Sequence, residues 1–118
     1  MTYFPDDISG YRKLLSAVLW LAVYDACTQP PKPNRENKRF PTDNANSAIR
    51  FLFEDNDRFF FKQYMRCLDM DPEAFRGRLV GLMYGDGSLE DPPFNSLPHN
   101  ARKSFCFNHT HWLTYARR

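Results

Sequence analysis

Apolar residues recur along this chain at intervals of three and four, the spacing of one helical face, in four separate stretches. In the first, Leu14, Val18, Leu21, Ala22 and Cys27 form the stripe, with Leu15 and Leu19 widening it and Arg12, Lys13 and Asp25 off it. The predicted helix is therefore buried on more than one side. Ser9-Gly10 precedes it. Gln29-Pro30-Pro31-Lys32-Pro33 ends it, because proline supplies no backbone donor and its ring obstructs the preceding turn. Residues 29–44 are polar and basic and predict a long exposed loop. A second helix carries Ala45, Ala48, Ile49, Leu52 and Phe53, with Asp43, Asn44 or Asn46 as its cap.

After the polar break Glu54-Asp55-Asn56-Asp57, a third helix capped by Asp55 or Asn56 places Phe60, Tyr64, Cys67 and Leu68 on one stripe. The turn Asp69-Met70-Asp71 follows. Asp71-Pro72-Glu73 starts a fourth helix, with an acceptor at the cap, proline at the first position and a carboxylate near the positive end of the dipole. Phe75, Leu79, Leu82 and Met83 line its face, and Gly85-Asp86-Gly87-Ser88 stops it. Pro92, Pro93 and Pro98 keep the chain irregular as far as Asn100. In 101–118 two patterns compete: Phe105 and Phe107 alternate as in a strand, whereas Asn108 caps a short helix bearing Trp112 and Tyr115. The helix is the preferred alternative. The expected fold is all-α, a compact bundle of about four helices in one domain, 1–118. Residues 29–44 form its exposed basic loop and residues 85–118 an irregular basic tail.

Composition fits that picture. In 118 residues there are 11 Phe, 6 Tyr and 2 Trp, large rings from which a few helices can build a core. The three cysteines, Cys27, Cys67 and Cys106, are too few and too scattered for a disulfide framework, and a reducing cytoplasm is expected. Cys27 and Cys67 are expected as small hydrophobes on buried faces. Met1–Asp7 is polar and acidic rather than leader-like, and Leu14–Ala26 is too short and too interrupted to span a bilayer. The net charge of +2 conceals a segregation: residues 29–50 carry +3 and 101–118 carry +4, around an acidic middle of −4 over 51–100.

The stretch Phe59–Met83 has the outline of a helix-turn-helix, with Tyr64, Leu68, Met70 and Phe75 as interior residues and Arg76 and Arg78 on the second helix. Ala17–Asp25, Ala48–Asp55 and Leu68-Asp69-Met70-Asp71-Pro72-Glu73-Ala74-Phe75-Arg76 together resemble a loose group of small phage and phage-derived bacterial proteins. That group is mostly of unknown function, and its closing motif is Leu-Gly-x-Asp-Pro-x-x-x-Arg. The resemblance covers roughly residues 14–79. It implies a phage-type origin and a DNA-binding helix pair. Asp71, Pro72 and Arg76 match the motif, Arg76 as the residue available for contact, and Asp69 stands where the group has glycine.

Nucleic acid, with DNA foremost, is therefore the first expected partner. Arg76 and Arg78 would meet the groove. Lys32, Arg35, Lys38 and Arg39 in the loop, with Arg102, Lys103, Arg117 and Arg118 in the tail, would neutralise phosphates. Phe40, Phe105, Trp112 and Tyr115 are interleaved with those cations, as stacking on bases requires. The second expectation is an adaptor or inhibitor docking on a host protein. Asp55 and Asp57 would supply its acidic face, and Phe59, Phe61 and Trp112 its apolar contacts. A homodimer is compatible with the aromatic excess. His99, Cys106, His109 and His111 are zinc-type ligands, but their spacing matches no common zinc pattern, so no metal is expected. Neither a phosphate-binding glycine loop nor a distinct Cys–His pair stands out, so no cofactor and no catalytic residue is assigned.

Overall fold

The computed structural model describes residues 4–35, 39–55 and 60–116. Five α-helices occur among them and no strand: α1 (Phe4–Ala26), α2 (Asp43–Phe53), α3 (Phe61–Cys67), α4 (Pro72–Met83) and α5 (Ala101–His111). A short 3₁₀ turn, Phe94–Ser96, precedes α5, and a π-helical turn, Trp112–Ala116, continues it. The segment 101–116, where the sequence favours a short helix starting at Asn108 in an otherwise irregular tail, is thus helical nearly throughout, and Asn108 lies inside the helix rather than at its cap. Its apolar residues follow the helical period from Ala101 through Phe105 to Trp112, all three buried, and Phe107 belongs to the other side of the same helix.

The caps are local and specific. Thr42, not a residue inside the helix, caps α2 by accepting from the Ala45 amide at 3.1 Å. Asp71 caps α4 by accepting from the Ala74 amide at 2.7 Å, with Pro72 at the first position, as the Asp-Pro-Glu run predicts. Between α3 and α4, Asp69 takes the left-handed conformation (φ 55°). The Asp69 and Met70 amides turn back onto the Arg66 and Met65 carbonyls at 3.1 and 2.9 Å, the closure that usually uses glycine. Aspartate tolerates that backbone better than most residues, and the Asp69 carboxylate is further held by Arg12 at 2.8 Å.

The core joins α1, α2 and α5, closed below by α3 and α4. From α1 it takes Leu15, Leu19, Ala22, Val23 and Ala26, with Cys27 just past the helix end, and from α2 Ala45, Ala48, Ile49 and Leu52. Phe61 and Met65 of α3, Leu79 and Met83 of α4, and Phe105 and Trp112 complete it. Two predicted stripes are displaced. On α1, Leu14 and Leu21 face outward while Leu15 and Leu19 face in. On α3, Phe60 and Cys67 are exposed while Phe61 is buried. α1 is apolar around most of its circumference, and α3 is too short, at seven residues, for its period to be read, so periodicity alone leaves the phase of the buried face undetermined.

Asn108 fastens α5 to the end of α1. Wholly buried, it donates through Nδ2 to the carbonyls of Ala26 (3.0 Å) and Thr28 (2.9 Å), which the helix end would otherwise leave without a donor. Cys27 lies beside this junction, its thiol pushed up to about 12 by burial.

Candidate nucleic-acid interface

Four of the expected contact residues, Arg76, Phe61, Phe105 and Trp112, are turned inward. Arg76 is 8% exposed, its guanidinium over the Phe61 ring at 4.6 Å. Its Nε donates to the Leu52 carbonyl at 2.7 Å and Nη2 to Asp55 Oδ1 at 2.8 Å. Nη1 donates to Glu73 at 2.8 Å and to Asp55 Oδ2 at 3.3 Å. Every arm of the guanidinium is engaged in joining α4 to the end of α2, so Arg76 is a structural clasp and not a free contact. The hydrogen bond from Arg76, more than its charge, holds the Asp55 carboxyl below its usual range. Trp112, expected at a surface, is buried against Phe53 and His109. Phe61 is buried among Phe51, Phe75 and Arg76.

With Asp55 paired to Arg76 and Lys62 and both rings inside, the acidic and aromatic face expected for a protein partner does not assemble from Asp55, Phe61 and Trp112. Asp57, Phe59, Lys38, Arg117 and Arg118 lie outside the described residues.

Other cations of the expected set converge. The loop that leaves α1 runs back along the outer face of α5. There Arg39 lies over the Phe107 ring at 5.6 Å, and Phe40 meets His111 edge-on at 5.8 Å. Two clefts share Arg39 and Phe107. One, of about 230 Å³, is bounded by Gln29, Pro30, Asn100, Lys103 and Ser104; the other, of about 910 Å³, by Phe40, Cys106, Thr110, His111, Thr114 and Tyr115. Lys103 and Asn100 continue the track past the start of α5 to His99, Arg102 and Glu90. Among the described residues no carboxylate lines the first two clefts. Lys32, Arg35, Arg39 and Lys103 are exposed, whereas Arg102 is partly drawn in by donating to the Gly87 carbonyl. Arg78 is exposed on a separate surface, beside Met70, Phe75, Pro93 and Phe94.

Arg39 reaches its ring through an unusual backbone: its φ is 68°, a conformation that costs a non-glycine residue about 1 kcal/mol. Composition and periodicity gave no sign of this geometry. The signal in the sequence is the interleaving of cations with Phe40, Phe105, Trp112 and Tyr115; of these Phe40 and Tyr115 are exposed, Phe105 and Trp112 are buried, and Phe107 supplies the ring in the cleft.

The histidines of the zinc-type set occupy different environments. His111 faces the cleft. His109 is buried between Phe105 and Trp112, with Nδ1 2.9 Å from the Tyr84 hydroxyl. Cys106 has Sγ 3.5 Å from the Met83 carbonyl, and burial raises its pKa. Among the described residues no three His, Cys, Asp or Glu side chains are grouped to hold a metal, and no helix is long and apolar enough to cross a membrane.

Burial lowers the His109 pKa, so its folded form resists protonation more than the unfolded chain does. Stability is then full above the unfolded value of about 6.5 and falls as pH drops towards the depressed folded value. Asp55 acts in the same direction at lower pH, its contribution fading as pH falls below about 4. Urea unfolding at a series of pH values should therefore show two successive losses on acidification. His109→Phe should remove the upper one; an unchanged profile in that variant would disprove the assignment.

Comparison with known protein families, with curated proteins and with solved structures returns no match for this chain.

Proposed function

We propose that the chain binds nucleic acid along the outer face of α5, in the cleft it forms with the basic loop, and that the preferred form is single-stranded. One observation carries this: Arg39 and Lys103 line the same two adjoining clefts as Phe40, Phe107 and Tyr115, and among the described residues no carboxylate borders either cleft. Cations along a groove neutralise phosphates, and exposed rings stack on bases of any sequence, the combination used for single strands. A rigid duplex offers its bases only at groove edges, which an open aromatic cleft cannot read. The α3–α4 pair supplies less. Arg76 is consumed in the fold, which leaves Arg78 of the two arginines expected to meet a groove, and Asp69, Asp71 and Glu73 crowd the front of α4, where they repel phosphate.

The test is fluorescence anisotropy with a labelled 15-nucleotide oligo(dT) and a duplex of equal length. Micromolar binding of the single strand at low salt is expected, weakening steeply as salt rises. Arg39→Ala and Lys103→Ala should each weaken it about threefold to tenfold and lower the salt slope by about 0.7. Phe40→Ala should weaken it about tenfold with the slope unchanged. Absence of binding at low salt, or a triple variant that binds as well as the parent chain, overturns the proposal. Tighter binding to duplex, lost in Arg78→Ala, would return the interface to α4.

A further inference from the structure

Between Tyr11 and Tyr24 the face of α1 that turns away from the core is apolar and symmetric in sequence. Tyr11, Leu14, Leu21 and Tyr24 are 54%, 58%, 57% and 42% exposed, with Ala17 and Val18 between them. Read in either direction from the midpoint between Ala17 and Val18, the order is small or branched residue, leucine, tyrosine, each step advancing three positions. A two-fold contact brings one patch against itself in reverse, and therefore requires this kind of self-complementarity.

We infer that α1 is the interface of an antiparallel homodimer. Reversal places Tyr11 against Tyr24 of the second copy, Leu14 against Leu21, and Ala17 against Val18 at the dyad. Ala17 and Val18, the shortest side chains of the stripe, let the backbones approach at the dyad, and Gly10, with nothing within 4 Å of where a Cβ would stand, leaves room for the far end of the second helix.

Charge selects the direction. Asp25 lies on this same stripe, one heptad beyond Val18, and is half-buried already. A parallel pair would set Asp25 against its own copy, two carboxylates leaving water together. An antiparallel pair sets Asp25 beside Gly10 and Tyr11, where a tyrosine hydroxyl can donate to it. The exposed fractions correspond to roughly 500 Å² per copy and about 1,000 Å² in all, the lower end of specific interfaces. The dimer is accordingly weak, with a dissociation constant on the order of 10–100 µM. The α5 cleft takes no part in the contact, so the dimer and the nucleic-acid proposal stand or fall separately.

Sedimentation equilibrium of the full chain from 5 to 200 µM tests this. The expected result is a shift from 14.0 kDa towards twice that mass. Leu14→Glu should weaken association at least tenfold while leaving the helical circular dichroism and thermal midpoint close to those of the parent chain. In a Cys67→Ser background, chains carrying Tyr11→Cys mixed with chains carrying Tyr24→Cys should form a disulfide-linked dimer under mild oxidation, and neither should do so alone. A monomer at 200 µM, whether or not it sediments with anionic vesicles, overturns the inference. So does a dimer that persists in Leu14→Glu, or one that cross-links through identical positions.

Discussion

Arg76→Ala is expected to lower the unfolding free energy by about 3 kcal/mol, read from urea denaturation at neutral pH. The loss has identifiable parts. The Leu52 carbonyl at the end of α2 loses its 2.7 Å donor, and Asp55 and Glu73 lose the cation between them. Because those carboxylates are partly solvated, water recovers some of that loss, which keeps the effect below that of a fully buried broken pair. The Phe61 ring also loses the planar group stacked over it. Arg76→Lys should rescue less than half, since an ammonium cannot reach three acceptors in a plane while covering a ring. Arg78→Ala, two positions along on the exposed side, should stay within about 0.5 kcal/mol of the parent chain. Equal effects at 76 and 78 would show that the clasp contributes nothing.

The second large effect belongs to Asn108. Alanine there removes both donors to Ala26 and Thr28 and leaves two carbonyls without their partner, at a cost of about 2–3 kcal/mol. Aspartate, nearly the same in shape, should cost more, about 4 kcal/mol, because a carboxylate has no N–H and would face two carbonyl oxygens in a buried site. The asparagine Oδ1 has no hydrogen-bond partner among the described residues, so no donor stands ready for the new charge. Asn108→Asp should therefore be the less stable of the two at pH 7 and recover relative to Asn108→Ala on acidification, when the protonated carboxyl can donate. If Asn108→Asp is instead the more stable at neutral pH, the proposed donation is wrong.

How much could be seen in the residues beforehand depended on whether the signal was local. The α2 face Ala45, Ala48, Ile49 and Leu52 and the Asp71 cap were legible because polar residues alternate with apolar ones at a fixed period and the cap chemistry is compact. The phase of α1 was not. With leucine or valine on nearly every side, only the neighbours decide that Leu15 and Leu19 go in and Leu14 and Leu21 stay out. Arg76 was misplaced for a related reason. Arginine at the helical spacing of a core residue ordinarily signals solvent, and its partners Asp55 and Leu52 lie more than twenty residues away. The cleft was half visible: the cations and rings of the loop and of α5 could be named, but their meeting depends on the loop folding back and on Arg39 adopting its left-handed backbone.

The attachment of α5 to the end of α1 also sets an order of events during synthesis. The amide of Asn108 reaches carbonyls about eighty residues upstream, and Phe105 and Trp112 cover Phe53 of α2. Until the ribosome has delivered α5, the nascent chain can coil its first four helices locally but has nothing to shield that seam. Until then the unfinished chain carries an uncovered apolar surface, a period in which chaperones have something to hold.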